Sequence, residues 1–179
     1  MGTIQYMEYQ RIYRGPVKLV ILDWAGLTVD YGCYAPAVVF IEVFKQKGID
    51  ISMKQARGPM GRYKRDHIKC ILEWYPDVAA QWTEVYNRNW TDGDIDDMFE
   101  NLFKPLQLKV IRKYTQLIPG TLETVKWLRK RDIKIGSTTG YFKEAAQINL
   151  EEAVKQGYKP DVAICSDDVP AGRPYPWMV

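Results

Sequence analysis

The feature that most constrains the fold is a short apolar run, residues 17–22, that stops at Asp23. Apart from Lys18 it consists of Val, Ile and Leu without alternation, which predicts a strand buried on both faces of a parallel sheet. Asp23 then lies at the carboxyl end of that strand, the edge at which open α/β sheets bind ligands. On this pattern alone, Asp23 serving only to cap a turn or helix stays an equal alternative.

Composition and charge favour a globular protein and argue against nucleic-acid binding. The chain has 179 residues, 46% of them hydrophobic, enough for the core of one domain or of one domain with an insertion. Its 25 basic and 22 acidic residues are spread along the chain without a basic stripe. This charge distribution gives no reason to expect a nucleic-acid partner. No apolar run reaches the length of a membrane span, so we expect no membrane partner either.

The cysteines and the N-terminal residues indicate a reducing, cytoplasmic setting. Cys33, Cys70 and Cys165 are odd in number, widely spaced and outside any CxxC pair, which argues against a disulfide framework and a thiolate zinc site. Residues 1–16 lack the apolar core of a signal peptide, and we interpret them as an N-terminal extension.

The middle of the chain has the pattern of successive helices. Pro36 near the start and Gly48 past the end bracket the first helix. Thr91 with Asp94 forms the capping pattern of a long helix that Pro105 should kink or break, and the helical pattern resumes over residues 106–114. The remaining predicted helices span residues 52–57, 60–72 and 79–87. Together these segments predict an all-helical insertion over residues 33–114.

After this insertion the chain alternates between strands and helices. Thr121 is placed to cap a helix that runs through residue 131. Two predicted strands, residues 133–140 and 161–165, are joined by a helix over 143–156. Such alternation implies parallel strands with right-handed crossovers. The sequence therefore predicts an α/β, Rossmann-like parallel-sheet core, residues 17–32 and 115–179, which the helical insertion interrupts.

Polar side chains follow the three predicted strands and should meet at one edge of the sheet. They are Asp23, the pair Thr138 and Thr139, and Arg173. A carboxylate, hydroxyls and a guanidinium together suit a phosphoryl group, with the carboxylate as nucleophile or metal ligand. Singly, the threonines are explained by β-propensity and Arg173 by a solvated loop, and only their shared edge favours a site.

Four short motifs carry a more specific signal. They are DWAG at 23–26, ARGPMG at 56–61 followed by Lys64 and His67, GSTTGY at 136–141, and DVPAGRPYPW at 168–177. They resemble the motifs of the phosphonoacetaldehyde hydrolase (phosphonatase) family within the haloacid dehalogenase superfamily. The resemblance covers residues 17–178 and equates the insertion, residues 33–114, with the family's cap domain. Ala25 stands where most of the superfamily has a second Asp, which is a mark of the phosphonatase branch.

The resemblance implies hydrolysis of the P–C bond of phosphonoacetaldehyde to acetaldehyde and phosphate. Lys64 would form a Schiff base with the aldehyde while Asp23 attacks phosphorus, and water would hydrolyse the resulting aspartyl phosphate. When the P–C bond breaks, its electrons flow into the iminium. The carbon leaving group therefore needs no acid at the position of Ala25. Lys64 would need a lowered pKa, which a closed and partly dry pocket can supply.

The resemblance also assigns the other site residues. Mg²⁺ would be held by Asp23 and the carbonyl of Ala25, and the oxygens of a small phosphonate substrate by Thr139 and Arg173. The pocket around the imine, including help with its proton transfers, would be formed by Cys33, Met60, Gly61, His67 and Tyr141. The family further implies a homodimer formed through the cap helices.

Each of these residues also has an ordinary structural explanation. Met60, Lys64 and His67 share one face of a predicted helix, but Lys64 lies in a basic run where a lysine is usually solvated. A histidine on the apolar side of a helix is more often packed than catalytic. Cys33 and Met60 would ordinarily belong to the core. Only the joint placement of these residues favours a catalytic role.

The sequence departs from the family pattern in two places. The family continues past the PYPW stretch with a further strand and carboxylates that complete the Mg²⁺ site, whereas this sequence stops at Val179. We therefore expect a core that is incomplete at its C-terminus, with residues 17–22 forming an exposed edge strand. Leu27 replaces a Thr or other small β-branched residue, for which we expect only a packing change.

Three interpretations of function stay open on the sequence. The first is a Mg²⁺-dependent phosphonoacetaldehyde hydrolase whose activity is weakened or lost by truncation. The second is a non-catalytic remnant or accessory subunit of a phosphonatase. The third and weaker one is another cap-bearing phosphatase of the superfamily, which Ala25 and Lys64 together disfavour.

Overall fold

The computed structural model describes residues 15–179, so the predicted N-terminal extension before Gly15 lies outside the described residues. Three parallel strands form the sheet, in the order β1–β2–β3. They are β1 (Leu19–Asp23), β2 (Lys134–Thr139) and β3 (Val162–Cys165). This arrangement confirms the predicted α/β class with a parallel sheet, and it places β1 at an edge as expected.

The strand β1 is covered on one face only. Val20 and Leu22 pack against a core cluster that contains Trp24, whereas Leu19 and Ile21 are 47% and 36% exposed. Successive side chains of a strand point to opposite faces, so the second pair lies on the open face of the sheet. The prediction that β1 is buried on both faces is therefore wrong for the part of the chain that the structure describes.

Helices fill the space between β1 and β2 in the sequence and connect β2 to β3. They are α1 (Tyr34–Gln46), α2 (Met53–Arg57), α3 (Lys64–Trp74), α4 (Pro76–Tyr86), α5 (Asp92–Asp97), α6 (Lys104–Val110), α7 (Thr121–Arg129) and α8 (Lys143–Lys155). A π-helical stretch, Met98–Phe103, joins α5 to α6, and 3₁₀ turns follow α6 and β3. The segment from α1 to the 3₁₀ turn Ile111–Tyr114 contains no strand.

Three predicted helix boundaries differ from the observed ones. The helix expected from residue 60 begins at Lys64, because Gly61 has φ +93°, outside the helical region. The helix expected at 79–87 begins at Pro76, since proline is favoured in a first helical turn. Thr121 does not cap α7 but lies in its first turn, after Gly120, and its hydroxyl donates to the carbonyl oxygen of Thr28 over 3.3 Å.

The capping pattern at Thr91 is confirmed. Its hydroxyl accepts from the backbone N–H of Asp94, while the Asp94 carboxylate accepts from the backbone N–H of Thr91. The helix that follows is not simply kinked at Pro105. A π-helical stretch, Met98–Phe103, comes just before Pro105. Proline has no N–H, so Pro105 cannot donate the usual helical hydrogen bond to the carbonyl four residues earlier.

Two apolar clusters form the core. The larger one joins side chains of α1, α3, α4 and the π-helical stretch to Phe142 and Ala145, which follow β2. The smaller one lies against one face of the sheet and contains Trp24, Ile135 and Tyr158. Because Phe142 packs among the helices, the loop after β2 fixes the helical segment beside the carboxyl edge of the sheet.

Candidate active site

Asp23 ends β1 at the carboxyl edge of the sheet, next to the end of β2. In the parallel ladder its register partner is Thr138. Arg173, in the loop after β3, donates from Nη2 to Oδ1 of Asp23 over 2.8 Å and to Oγ1 of Thr138 over 3.0 Å. The side chains of Asp23 and Arg173 stay 40% and 29% exposed, so solvent reaches this cluster. The structure thus brings together one residue from each of the three predicted strand ends.

The turn after Asp23 is held by its own hydrogen bonds. Gly26 has φ +87°, and its N–H donates to the carbonyl oxygen of Val29 over 2.8 Å. The hydroxyl of Thr28 donates to the carbonyl oxygen of Asp23 over 3.0 Å. A Cβ on Gly26 would collide with Sγ of Cys33, so glycine is required there both for its φ and for space.

Lys64 is the first residue of α3 and is almost completely buried, with 4% exposure. Its Nζ lies 5.1 Å from the ring centroid of Tyr141 and 6.0 Å from that of Phe40. Burial lowers the pKa of Lys64 to about 8, although the nearby charges of Asp23 and Cys33 act in the opposite direction. About a tenth of the lysine is therefore neutral at pH 7, and this form is able to act as a nucleophile.

His67 lies one turn further along α3 and is fully buried. Its Nε2 is 2.9 Å from the carbonyl oxygen of Ala56, and its ring stacks on Phe40 with 3.8 Å between centroids. Burial, reinforced by the charge of Lys64, keeps the pKa of His67 well below its usual value. Because a carbonyl only accepts, Nε2 carries the proton in the neutral ring and Nδ1 is an unprotonated acceptor, with no partner among the described residues.

Of the other residues that the resemblance assigns, the structure places Cys33, Tyr141 and Gly61 near this lysine or the strand ends. Cys33 donates from Sγ to the carbonyl oxygen of Ala25 over 3.1 Å, and burial raises the pKa of its thiol. Tyr141 is 2% exposed, and burial raises the pKa of its phenol well above the usual value. Met60 is half-buried in the turn before α3, and a Cβ on Gly61 would lie 3.7 Å from Nη1 of Arg173.

The two threonines at the end of β2 have different partners. The hydroxyl of Thr138 accepts from Arg173, whereas that of Thr139 accepts from the backbone N–H of Tyr141 over 3.2 Å. Thr139 also lines a small cleft with Trp24 and Cys165. The structure therefore places Thr138 on the Asp23–Arg173 pair, and the phosphate contact expected of Thr139 stays a prediction.

Two buried residues of the site were not predicted from the sequence. Phe40 contacts both His67 and Lys64, but it lies in an apolar helical run that gives no functional signal. Asp30 has φ +54°, and its carboxylate accepts from the backbone N–H groups of Tyr34 and Ala35 at the start of α1. A capping residue is sought directly before a helix, and Asp30 lies four positions before Tyr34, so the sequence pattern did not point to it.

The protein oxygens at the strand end are of the kind that Mg²⁺ prefers. Asp23 offers a carboxylate and Ala25 a carbonyl, while within residues 15–179 no group of three His, Cys, Asp or Glu side chains is placed to hold a metal ion. Mg²⁺ is commonly held by one or two carboxylates, with water and phosphate oxygens at the remaining positions. The donor set therefore fits this ion in kind, with Asp23 as its one carboxylate.

The fold and this sheet-edge cluster are those of a known family of hydrolases. The haloacid dehalogenase-like hydrolase family pattern matches residues 17–179, and the chain belongs to that family. It is 48% identical over 162 residues to the phosphonoacetaldehyde hydrolase of Bacillus cereus strain B4264, and 47% identical to that of Bacillus anthracis. These matches cover 90% of this chain and 61% of each relative, so the chain spans about three fifths of their length.

Solved structures give the same result for the fold. A phosphonoacetaldehyde hydrolase-like protein from Oleispira antarctica superposes with a TM-score of 0.87 at 39% identity, over 90% of this chain and 58% of that one. A β-phosphoglucomutase from Clostridium difficile superposes with a TM-score of 0.70 at 18% identity, over 91% of this chain and 68% of that one. The second likeness supports the fold alone. Among the described residues, no helix is long and apolar enough to cross a membrane.

Proposed function

We propose that this chain carries a phosphonoacetaldehyde hydrolase site that cleaves the P–C bond through an imine on Lys64 and a phosphoryl group on Asp23. The observation that carries the proposal is the buried Lys64, with a pKa near 8, in the electrostatic field of Asp23 and Arg173. A plain phosphatase needs an acid for its leaving oxygen, and the residue two positions after Asp23 is Ala25. A lysine that can form an imine removes that need.

Imine formation falls to Lys64. Its neutral amine adds to the aldehyde carbon, water leaves, and the nitrogen becomes a protonated iminium. Tyr141 and Phe40 enclose the nitrogen, so water has little access once the adduct forms. The unprotonated Nδ1 of His67 is a candidate acceptor for protons released in these steps.

Phosphoryl transfer falls to Asp23. Its carboxylate oxygen bonds to phosphorus as the P–C bond breaks, and the electron pair of that bond moves into the iminium to give an enamine on Lys64. Protonation of the enamine carbon and hydrolysis of the resulting imine release acetaldehyde. Water then hydrolyses the aspartyl phosphate, so substrate and one water give acetaldehyde and phosphate overall. Arg173 is placed to bind phosphoryl oxygens in each phosphorus-bearing state.

The assignment of a metal belongs to the same proposal. When bound, Mg²⁺ would neutralise phosphoryl charge beside the nucleophile. Asp23 and the carbonyl of Ala25 would hold it, and the Thr139 hydroxyl would bind a phosphoryl oxygen. We further propose that residues 33–114 act as a cap over the core formed by residues 17–32 and 115–179. The enzyme would work as a cytoplasmic homodimer that forms through the cap helices. Cys33, Met60 and Gly61 would line the pocket.

Borohydride trapping tests the imine step. Incubation with phosphonoacetaldehyde and sodium borohydride should add the mass of one reduced adduct to the wild-type chain and none to Lys64→Met. Lys69→Met is the matched control, because Lys69 lies on the same helix but pairs with Asp92 at the surface. Trapping that persists in Lys64→Met, or that is lost in Lys69→Met, would contradict the role of Lys64.

A second function, a phosphonatase-like chain that binds without turnover, is favoured by one observation. Within the described residues Asp23 is the one carboxylate placed to hold Mg²⁺, which is the lower end of the one or two carboxylates that commonly bind this ion. Phosphate release distinguishes the two. Trapping on Lys64 with no phosphate released would favour the binding chain, whereas catalytic release that is lost in both Lys64→Met and Asp23→Asn would favour the hydrolase.

A further inference from the structure

Thr138 holds a position that neither the resemblance nor the comparisons assign a role. It is the register partner of Asp23 in the sheet and is 7% exposed. One nitrogen of Arg173, Nη2, donates both to Oγ1 of Thr138 and to Oδ1 of Asp23. A single N–H-bearing atom is thus held between a strand hydroxyl and the carboxylate that is the proposed nucleophile.

The chemistry of this contact fixes the direction of its hydrogen bonds. A guanidinium has donors only, so Oγ1 of Thr138 accepts from Arg173 and its own hydrogen stays available for another acceptor. When a phosphoryl group approaches Asp23, its oxygens compete for the guanidinium of Arg173. The bond to Thr138 does not depend on the carboxylate, so it can keep Nη2 at the strand ends while the bond to Asp23 gives way.

Arg173 needs such an anchor because of where it comes from. It lies in the loop after β3, and its side chain reaches past β2 to the end of β1. A long side chain that leaves a loop loses considerable rotamer freedom when it is fixed in one geometry. If a strand residue already holds the Arg173 side chain by accepting a hydrogen bond from it, less of this entropy cost remains for substrate binding to offset.

We propose that Thr138 is a positioning residue that orients Arg173 toward the phosphoryl oxygens at Asp23. The proposal rests on the proposed function and deepens it, because it names the group that prepares the anion site. It is distinct from the expected role of Thr139, whose hydroxyl is engaged by the backbone of Tyr141.

Phosphate binding provides a test that does not require turnover. Calorimetric titration with inorganic phosphate, at fixed Mg²⁺, compares wild type with Thr138→Val, which keeps the shape and loses the hydroxyl, and with Thr138→Ser, which restores it. We expect about tenfold weaker phosphate binding for the Val variant and a value within about twofold of wild type for the Ser variant. Where the chain turns over, the Val variant should raise KM more than it lowers kcat.

A matched control separates this effect from the loss of any buried strand hydroxyl. Ser137 lies one position earlier in β2, and its buried hydroxyl bonds the hydroxyl of Tyr158. Ser137→Ala should lower the melting temperature and leave phosphate affinity unchanged. Equal phosphate affinity in Thr138→Val and wild type, failure of Thr138→Ser to restore binding, or no phosphate binding by wild type would each overturn the positioning role. The proposed function is tested separately by borohydride trapping on Lys64, which does not depend on phosphate affinity.

Discussion

Arg173 donates from Nη2 to Oδ1 of Asp23 over 2.8 Å, although the two residues lie 150 positions apart in the chain. The contact joins the loop after β3 to the end of β1, two strands that are not neighbours in the sheet. Both side chains are partly exposed, so the ion pair adds little to stability on its own. The pair places a cation beside a carboxylate at an open edge, and under the proposed function the phosphoryl group binds there.

Replacing Asp23 with Asn should remove phosphate release without removing the fold. The amide keeps the shape of the carboxylate but is not a nucleophile toward phosphorus, so release should fall by at least about 10³-fold. Imine trapping on Lys64 should continue, since that step does not use the carboxylate. Phosphate release, trapping and thermal melting of the same preparation measure all three expectations.

Asp132→Asn is the control for the Asp23 substitution. Asp132 is exposed, and its φ of +55° is a conformation that asparagine also adopts readily, so this variant should behave like wild type. Release from Asp23→Asn within about tenfold of wild type would show that another group attacks phosphorus.

The buried charge of Lys64 should destabilise the fold at neutral pH. Burial lowers its pKa from the usual 10.5 to about 8, so between these values the unfolded chain binds more protons than the native one, and stability rises with pH. Well below pH 8 the cost is fully present and is on the order of 3 kcal/mol. Lys64→Met should therefore be more stable than wild type at pH 7, by urea unfolding, and the difference should vanish near pH 10.5.

The same measurement on Lys69→Met shows what an exposed lysine does. Lys69 keeps about a third of its side chain in solvent, so its replacement should give only a small stability difference at pH 7. A Lys64→Met difference that stays constant between pH 7 and 10.5 would mean that Lys64 is not the group responsible.

The meeting of Asp23 with Arg173 was predictable from the sequence, because the carboxyl ends of parallel strands share one edge. The choice between Thr138 and Thr139 was not, since neighbouring residues of a strand have opposite orientations and the apolar pattern does not say which faces Arg173. The same limit explains Gly61, where helical spacing suggested a longer α3 but a positive φ delays its start.

The burial of Lys64 shows a different limit. Its neighbours in the sequence are basic and polar, a pattern typical of a solvated helix face. The side chain is enclosed by Tyr141 and Phe40, which come from distant parts of the chain. A local sequence pattern describes only the neighbours of Lys64 along the chain, whereas the pKa of a lysine depends on the side chains that tertiary packing places around it. Only the family resemblance therefore pointed to Lys64.

Phe40 should matter for both stability and imine formation. Its ring lies against His67 and against Phe103, with centroid distances of 3.8 and 4.6 Å, and is 6.0 Å from Nζ of Lys64. Phe40→Leu should cost about 1–3 kcal/mol in urea unfolding and slow trapping on Lys64 by about tenfold, because the lysine and histidine lose a shared packing surface. Phe103→Leu should cost a similar amount and leave trapping nearly unchanged. Equal trapping rates in the two variants would contradict a specific role for Phe40.

Gly140 should be required for the approach of the turn before α3 to the end of β2. A Cβ there would lie 2.5 Å from the carbonyl oxygen of Arg62 and 2.7 Å from that of Gly61, and backbone atoms cannot move aside cheaply. Gly140→Ala should therefore cost about 1–3 kcal/mol and displace Lys64 from the strand ends, which would slow imine trapping. Gly93→Ala, in an exposed helix where the added methyl meets only a side-chain oxygen at 3.7 Å, should instead stabilise the fold by up to about 1 kcal/mol. Urea unfolding and trapping rates for both variants test this contrast, and a Gly140→Ala variant with wild-type values in both would show that the close approach is not needed.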